Sequence, residues 1–202
     1  MTTVSVVIAT YGNSEWVTMA EERAHPSVHG ADQIVVRHEP DGTRATSLNN
    51  AVAQATGDYV VMLDADDQLQ DGYVDAMRSA IDKHARWGDV LFTPAVQQIR
   101  KGRPGRPFFF PECSLETGNW LVIGTVISRE LFHTVGGFHE HPHGLEDWNL
   151  WARAVRAGAS IVKVPGAVYR AHMNPRSKHH VLQRNRPEYM VAYEAARLDA
   201  WG

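Results

Sequence analysis

The sequence predicts an α/β fold in a single domain, in which helices flank a mostly parallel central sheet. Two observations support this class. Apolar segments rich in valine alternate with segments of helical pattern through the first half of the chain, and each apolar segment is continuous, as in strands that are buried on both faces. This order makes the first half Rossmann-like. A length of 202 residues suits one hydrophobic core.

The first half contains three predicted strands, each followed by a predicted helix. The strands are Val4 to Thr10, Gln33 to Arg37 and Tyr59 to Leu63. The helices are Ser14 to Ala24, Thr43 to Gly57 and Gly72 to Ala85, with caps at Asn13 or Ser14 and at Asp71. Because ligands bind beyond the carboxyl ends of parallel strands, the loops that follow these strands are expected to line one crevice.

The second half is less regular. Strands are predicted at Asp89 to Ile99, at Asn119 to Ser128 as one strand or a pair, and at Ser160 to His172 in two segments. Helices are predicted at Arg129 to Val135, at Glu146 to Gly158 and from about Val181 to Ala200.

Composition excludes some classes of protein. The formal net charge of -3 excludes a strongly basic nucleic-acid binder. Because Cys113 is the single cysteine, no internal disulfide can form, and a cytoplasmic location is expected. No signal-peptide core or membrane-spanning apolar segment is predicted.

Three aspartates follow the third predicted strand within four positions. On an extended segment Asp64 and Asp66 point to the same side, while Asp67 points away. Such like charges repel unless a cation lies among them, and carboxylate oxygens favour Mg²⁺ or Mn²⁺ bound together with a diphosphate. A calcium loop of the EF-hand type is excluded, because Leu69 stands where that loop needs glycine. A solvated acidic loop stays open as the alternative.

Four segments in order resemble the family 2 nucleotide-sugar glycosyltransferases, which are inverting enzymes with the A-type fold. These segments are VSVVIATYGN, GDYVVMLDADD, VGGFHE and GLEDWNLWARAVRAG, which begin at Val4, Gly57, Val135 and Gly144. The resemblance implies a nucleotide-sugar-binding half at residues 1–98 and an acceptor-binding half at residues 99–202 that ends in the C-terminal helix.

The resemblance also implies roles for residues of the first half. Thr10 and Tyr11 match the loop that holds the nucleotide, and the segment of Asp64, Ala65 and Asp66 matches the Asp-x-Asp motif that carries the metal on the donor diphosphate. The cofactor implied is Mn²⁺ or Mg²⁺.

An acidic pair in the second half matches the catalytic base of the family. By similarity the base is Asp147, with Glu146 beside it. An in-line displacement needs a base on the side of the sugar opposite the leaving diphosphate, so two distant acidic sites are expected. Compensation of charge at a helix N-terminus is the alternative reading of the pair.

The chain departs from the family at the end of its second strand. Arg37, His38 and Glu39 stand where paired aspartates often read the base, which leaves uridine, guanosine and deoxythymidine nucleotides open. Glu39 is assigned to nucleotide binding. Asn50 fits the family and is assigned likewise, although Asn49 stands where arginine is frequent.

Other residues have two readings each. His172 matches a late residue that is basic or metal-binding near the diphosphate, and it or Arg170 could neutralise the leaving group, or serve a surface or packing role. Trp120 and Trp148 are candidates for stacking on the acceptor sugar, although Trp148 shares a helix face with Trp151, which favours the core.

A second metal site is also conceivable. His139, His141 and His143 alternate as in some zinc sites, but no cysteine lies nearby and the family places an acceptor-facing loop here.

The function predicted is a metal-dependent inverting glycosyltransferase that is not processive. Its partners are a nucleotide-diphosphate sugar and a glycan, lipid-linked, protein or small-molecule acceptor. A nucleotidyltransferase is one alternative, but the first loop lacks the lysine and second glycine expected for phosphate binding. A catalytically silent sugar-nucleotide or glycan binder is the other, although a binder needs no base.

Overall fold

The computed structural model describes residues 2–85, 88–141, 144–173 and 185–202. Its strands are β1 (Val4–Tyr11), β2 (Gln33–Glu39), β3 (Tyr59–Met62), β4 (Gln68–Leu69), β5 (Val90–Arg100), β6 (Arg103–Pro104), β7 (Ile127–Ser128) and β8 (Ser160–His172). Its α-helices are α1 (Glu15–Met19), α2 (Arg44–Val52), α3 (Tyr73–His84), α4 (Arg129–Thr134), α5 (Glu146–Arg156) and α6 (Arg186–Trp201).

The strands form two four-stranded sheets. In the first, β1 is parallel to β2 on one side and to β3 on the other, and β7 lies antiparallel beside β3. In the second, β5 and β8 are parallel, with β6 and β4 antiparallel at the edges. A bridge between Phe92 and Val126 connects the two sheets. The predicted α/β class is confirmed: each sheet contains parallel strands, with one antiparallel edge strand in the first sheet and two in the second.

The first sheet is buried on both faces, as its apolar strands predict. Val4, Val6, Val7 and Ile8 of β1 are all fully buried, so neighbours in the sequence pack on opposite sides of the sheet. Because the interior of this sheet is fixed by packing, the ends of its strands are rigid supports for the loops beyond them.

The first predicted helix is divided in the structure. It begins as α1, continues as a π-helical turn at Ala20–Ala24 and ends as a 3-10 turn at His25–Ser27. Pro26 lies in that last turn and has no backbone N–H to donate to a continuing helix. A propensity pattern does not distinguish these helix types, so the prediction recovered the extent of the segment and missed its division.

Two predicted helix ends differ from the structure. The second helix ends at Val52 rather than Gly57, because the chain turns to meet β1, where a Cβ on Gly57 would lie 2.7 Å from the backbone nitrogen of Ser5. The third helix is preceded by Gly72, whose φ of 81° is in the left-handed region, and this residue rather than Asp71 is its N-cap.

The second half contains longer and shorter strands than predicted. Strand β8 is continuous through both predicted segments, with a register shift opposite Pro94 and Ala95 of β5. The predicted strand at 119–128 is reduced to β7, and Gly124 packs so closely under the ring of Tyr169 that a Cβ would lie 2.2 Å from it. The predicted start of the terminal helix, at 181–184, lies outside the described residues. In the part of the chain that the structure describes, no helix is both long and apolar enough to span a membrane.

Candidate functional site

The loops that follow β1 and β2 lie side by side. The backbone N–H of Gly12 donates to the carbonyl of Glu39 at 3.2 Å, and the hydroxyl of Thr10 lies 2.9 Å from Nδ1 of His38. These contacts follow from the parallel register of the strands, in which Thr10 pairs with His38. The first two predicted loops therefore share one edge of the sheet.

The aspartates after β3 form a turn at the same edge. The backbone N–H of Asp67 donates to the carbonyl of Asp64 at 3.0 Å, which closes the turn. Asp67 differs from the other two in burial: it is 8% exposed, and its carboxylate accepts from the backbone N–H of His172 at 2.7 Å. Burial, with the nearby charges of Asp64 and Asp66, raises the pKa of Asp67 well above its usual range.

Arg44, the first residue of α2, supplies the cation that the aspartate cluster requires. Its Nη2 lies 3.0 Å from one carboxylate oxygen of Asp64 and 3.3 Å from the other. Burial lowers the pKa of Arg44, but the nearby charges of Asp64, Glu146 and Asp147 outweigh burial and raise it above its ordinary value. Arg44 thus lies in the field of acidic residues from two distant parts of the sequence.

Asp66 has no such partner. No described lysine, arginine or histidine lies within ion-pair distance of its carboxylate. Arg23, in the π-helical turn, donates to the backbone carbonyl of Asp66 at 2.9 Å, which holds the loop, and the charges of Arg44 and Arg23 offset only part of the rise in the pKa of Asp66. Burial, and then the charge of Asp64, raise the pKa of Asp66 to about 6.

These aspartates fit a hard divalent cation. Their donors are oxygens, and the carboxylate of Asp66 has no ion-pair partner among the described residues. Within the described ranges, no three or more histidine, cysteine, aspartate or glutamate side chains converge on a metal position. A pair of carboxylates suits an ion such as Mg²⁺, which takes its remaining ligands from phosphate and water.

The acidic pair Glu146 and Asp147 begins α5. Glu146 is 8% exposed and Asp147 is half-buried, and the amide of Asn119 donates to the carboxylate of Asp147 at 3.4 Å. Leu145, just before the helix, has a φ of 74°, a left-handed conformation that is rare for a branched residue. Strain of this kind persists where surrounding structure fixes the backbone, and here it sets the direction in which the acidic pair leaves the loop.

A loop before α5 is fastened to α2. The side-chain amide of Asn49 donates to the carbonyl of Phe138 and accepts from its N–H, both at 2.8 Å. Gly137 makes this possible, because a Cβ there would lie 2.6 Å from the amide oxygen of Asn49. The hydroxyl of Thr43 also donates to Glu140. The VGGFHE segment therefore joins the base side of the crevice to the helix that carries Arg44.

Glu39 and Asn50 are in contact. Glu39 accepts from Nε of Arg37 at 2.6 Å and from the amide of Asn50 at 2.7 Å, and these hydrogen bonds, that of Arg37 first, lower the pKa of Glu39. Both residues lie at the edge where the nucleotide was predicted.

His172 shares a cavity of about 290 Å³ with Asp66 and Arg23. Its Nε2 lies 2.9 Å from the side-chain oxygen of Gln68, and burial, followed by the charges of Arg23 and Arg170, lowers its pKa. Arg170 is engaged elsewhere, since it donates to Gln97 at 3.0 Å.

The predicted acceptor-stacking residues are both core side chains. Trp148 is 2% exposed, donates to the carbonyl of Leu115 at 2.7 Å and stacks on Tyr193, which corrects its assignment to the acceptor. Trp120 is 7% exposed, with the ammonium of Lys163 over its ring, 5.3 Å from the ring centroid. As predicted from helix spacing, Trp148 and Trp151 share an apolar face.

The alternating histidines contact a carboxylate on α6. His139 lies 2.6 Å and His141 3.5 Å from Asp199, which also accepts from Asn149 at 2.9 Å. His143 lies outside the described residues. Among the described histidines, none belongs to a group that could hold zinc.

Sequence reasoning missed Arg44, Arg23 and Asn119. A signal for Arg44 was present: a cation at the first position of a helix opposes the helix dipole, so it needs another reason to be there. Arg23 and Asn119 gave no comparable signal, because their contacts join segments far apart in the sequence.

Comparison with known proteins identifies the family of the chain. Residues 5–142 match the sequence model described as Glycosyl transferase family 2. No curated protein matches the chain.

Several solved structures share the fold. TarS from S. aureus aligns with a TM-score of 0.60 at 17% identity, over 93% of this chain and 40% of that chain. TarS 1-349 aligns with a TM-score of 0.61 at 16% identity, over 98% of this chain and 70% of that chain. Its complex with UDP-GlcNAc aligns with a TM-score of 0.59 at 16% identity, over 87% of this chain and 60% of that chain. At these identities the likeness shows the fold, which is the one predicted. Since the family model covers more than half of the sequence, the chain belongs to glycosyl transferase family 2.

Proposed function

We propose that the protein is a metal-dependent inverting glycosyltransferase, which moves a sugar from a nucleotide-diphosphate donor to an acceptor hydroxyl. One observation carries this proposal: carboxylates from two distant parts of the chain surround one guanidinium. Asp64 forms an ion pair with Arg44, and the charges of Glu146 and Asp147 also raise the pKa of Arg44. An in-line displacement at a sugar carbon needs two acidic sites facing one space.

The donor is assigned to residues 1–98. Thr10 and Tyr11 would hold the nucleotide, with Glu39 and Asn50 beside them at the same edge. TarS has been crystallised with UDP and with UDP-GlcNAc, which makes UDP-sugars the first donors to test. GDP- and dTDP-sugars follow, because Arg37, His38 and Glu39 differ from the paired aspartates of the family.

Asp64 and Asp66, with Ala65 between them, would hold Mn²⁺ or Mg²⁺ on the donor diphosphate. When bound, such an ion neutralises charge that develops on the leaving diphosphate. His172 adjoins this position through the cavity it shares with Asp66, and it is proposed to lie against the leaving group, as a metal ligand or as a donor to phosphate.

Asp147 is the proposed base. It removes the proton from the acceptor hydroxyl as that oxygen attacks the sugar. Arg44 and the N-terminus of α5 place positive charge near this carboxylate. Glu146, which is 8% exposed, lies beside it as the second member of the acidic pair.

The acceptor is assigned to residues 99–202, where Trp120, at 7% exposed, presents little surface for stacking. We propose that transfer adds one sugar at a time to a glycan, lipid-linked, protein or small-molecule acceptor. Long polymer products from the purified protein would contradict this.

A thermal-shift screen tests the proposal. UDP-, GDP- and dTDP-sugars are each added with Mn²⁺, Mg²⁺ or EDTA. The expected result is a rise in melting temperature that requires both one nucleotide and a metal, since a ligand that binds the native state alone stabilises it. A sugar-nucleotide shift without transfer to any acceptor would favour the silent binder, and no shift at all would count against the donor site.

A further inference from the structure

One guanidinium nitrogen contacts both oxygens of the carboxylate that the donor site assigns to a metal. The Nη2 of Arg44 lies 3.0 and 3.3 Å from the two oxygens of Asp64. The side chains are 31% and 28% exposed, so the pair is partly shielded from water. A cation held this way lies against both oxygens through which Asp64 would bind a metal ion.

Local helix energetics do not explain this arginine. It is the first residue of α2, at the positive end of the helix dipole, where a cation is unfavourable. Its backbone is fixed by a capping box, in which the hydroxyl of Thr43 accepts from the N–H of Thr46 at 3.2 Å and the hydroxyl of Thr46 accepts from the N–H of Thr43 at 2.8 Å. The side chain extends from this fixed point into the acidic crevice.

We propose that Arg44 is the resident counter-cation of the donor site, which holds Asp64 in the donor-free protein and releases it when a divalent cation arrives with the donor diphosphate. This inference rests on the proposed function. A divalent cation on Asp64 would lie next to the guanidinium, and the repulsion between them is twice that between two single charges. Arg44 and the metal therefore compete for one carboxylate.

The donor resolves this competition. Once displaced from Asp64, Arg44 retains the charges of Glu146 and Asp147 and gains those of the diphosphate, to which a guanidinium binds well. A metal ion alone would have to displace Arg44 without that gain. When the metal arrives with the nucleotide, the diphosphate supplies the gain. Arg44 is thus a positioning residue that makes the binding of metal and of nucleotide mutually dependent.

The test is a titration of the full chain with MnCl₂ in the absence of nucleotide, followed by the EPR signal of free Mn²⁺. Arg44→Gln is expected to bind Mn²⁺ about tenfold more tightly than the unmodified protein, because the competing cation is gone. Arg44→Lys keeps the charge and is the matched control, with an affinity within about twofold of the unmodified protein. Asp64→Asn added to Arg44→Gln should abolish the gain.

Equal or weaker Mn²⁺ binding by Arg44→Gln overturns the inference, and so does an equal gain in Arg44→Lys. A tighter affinity for metal is not expected of a variant that is merely damaged, and Arg44→Met serves as a second neutral variant if Arg44→Gln does not fold. Nucleotide binding by the unmodified protein with Mn²⁺ is measured separately. Its absence would count against the proposed function, while the nucleotide-free titration alone decides the role of Arg44.

Discussion

At the scale of single residues, the crevice contains more negative than positive charge. Arg44 compensates Asp64, while Asp66 is left with a pKa raised to about 6 by burial and then by Asp64. A carboxylate of this kind is held ionised at neutral pH at a cost to the folded protein. Its position is explained if a divalent cation completes the site.

Replacing Asp66 should therefore stabilise the protein and harm donor binding. Without metal and at pH 7, Asp66→Asn is expected to raise the free energy of unfolding by about 1 kcal/mol, after allowance for solvent screening. The sign follows because the folded-state pKa is raised, so the penalty is present above that pKa and disappears as the pH falls through it. Urea unfolding in EDTA measures the gain. The same variant should lose the metal-dependent melting shift with donor, and a variant that keeps it would remove Asp66 from the metal site.

Replacing Asp147 should separate binding from chemistry. Asp147→Asn keeps the shape and removes the base, so the transfer rate is expected to fall by about a hundredfold or more while the donor binds nearly as before. Asp71→Asn is the matched control, because Asp71 has 91% of its side chain exposed and lies outside the crevice. Substantial transfer by the Asp147→Asn protein would mean that the base is another residue.

At the scale of elements, the contact between α2 and the Gly137–Phe138 turn connects the two acidic sites. Helix α2 begins with Arg44. About one turn further on, the side chain of Asn49 forms two hydrogen bonds with the loop that leads to α5. The aspartates after β3 and the acidic pair of α5 are thus both attached to α2, so the distance between these two acidic sites depends on that helix.

Loss of this contact should be costly for a single amide. Asn49→Ala leaves the N–H and carbonyl of Phe138 without their partners and is expected to destabilise the protein by about 2 kcal/mol. Asn50→Ala, next to it and exposed, should cost about 0.5 kcal/mol or less. Chemical denaturation of both variants measures the difference. Equal losses would show that the paired hydrogen bonds carry no special weight.

Sequence patterns predicted these elements unevenly, for physical reasons. Helix α5 was predicted closely because its first acids, its apolar face and Gly158 are all local signals. The early end of α2 and the continuity of β8 were missed because they are decided by contacts with distant residues, such as Ser5 and β5. The division of the first helix was missed because a propensity pattern does not distinguish helix types. The site divides in the same way: the aspartates and the acidic pair lie in motifs, whereas Arg44 and Asn119 reach the site through the fold.

At the scale of the whole molecule, α6 returns the chain to the crevice side. Asp199 of α6 contacts His139 and Asn149, while the backbone carbonyl of Ala200 accepts from Arg156 at 2.9 Å. The terminal helix is thereby attached to α5 and to the loop before it. The base side of the crevice depends on this attachment.

This attachment predicts a loss of stability in acid. Burial is the main reason that the pKa of His141 is lowered, and hydrogen bonds from His139 and Asn149 outweigh burial and lower that of Asp199. For groups with a lowered folded-state pKa, stability is present above the unfolded value and is lost as the pH falls through the folded value. The contribution of His141 to the free energy of unfolding is therefore expected to fall from pH 7.5 to 5.5, whereas Asp66, whose folded-state pKa is raised, contributes in the opposite sense and Asp199 contributes only at lower pH. Relative to the unmodified protein, His141→Gln should gain stability as the pH falls over this range, and urea unfolding at several pH values measures the difference; an unchanged pH dependence would contradict the assignment.

The pairing of Arg44 with Asp64 also bears on how related sequences can diverge. A chain that replaces this arginine with a neutral residue leaves three carboxylates without their shared cation. Such a change is tolerable only if one of the acidic residues is lost at the same time, or if another lysine or arginine occupies the same space. Descendants of this protein should therefore exchange Arg44 together with one of its acidic partners, and seldom alone.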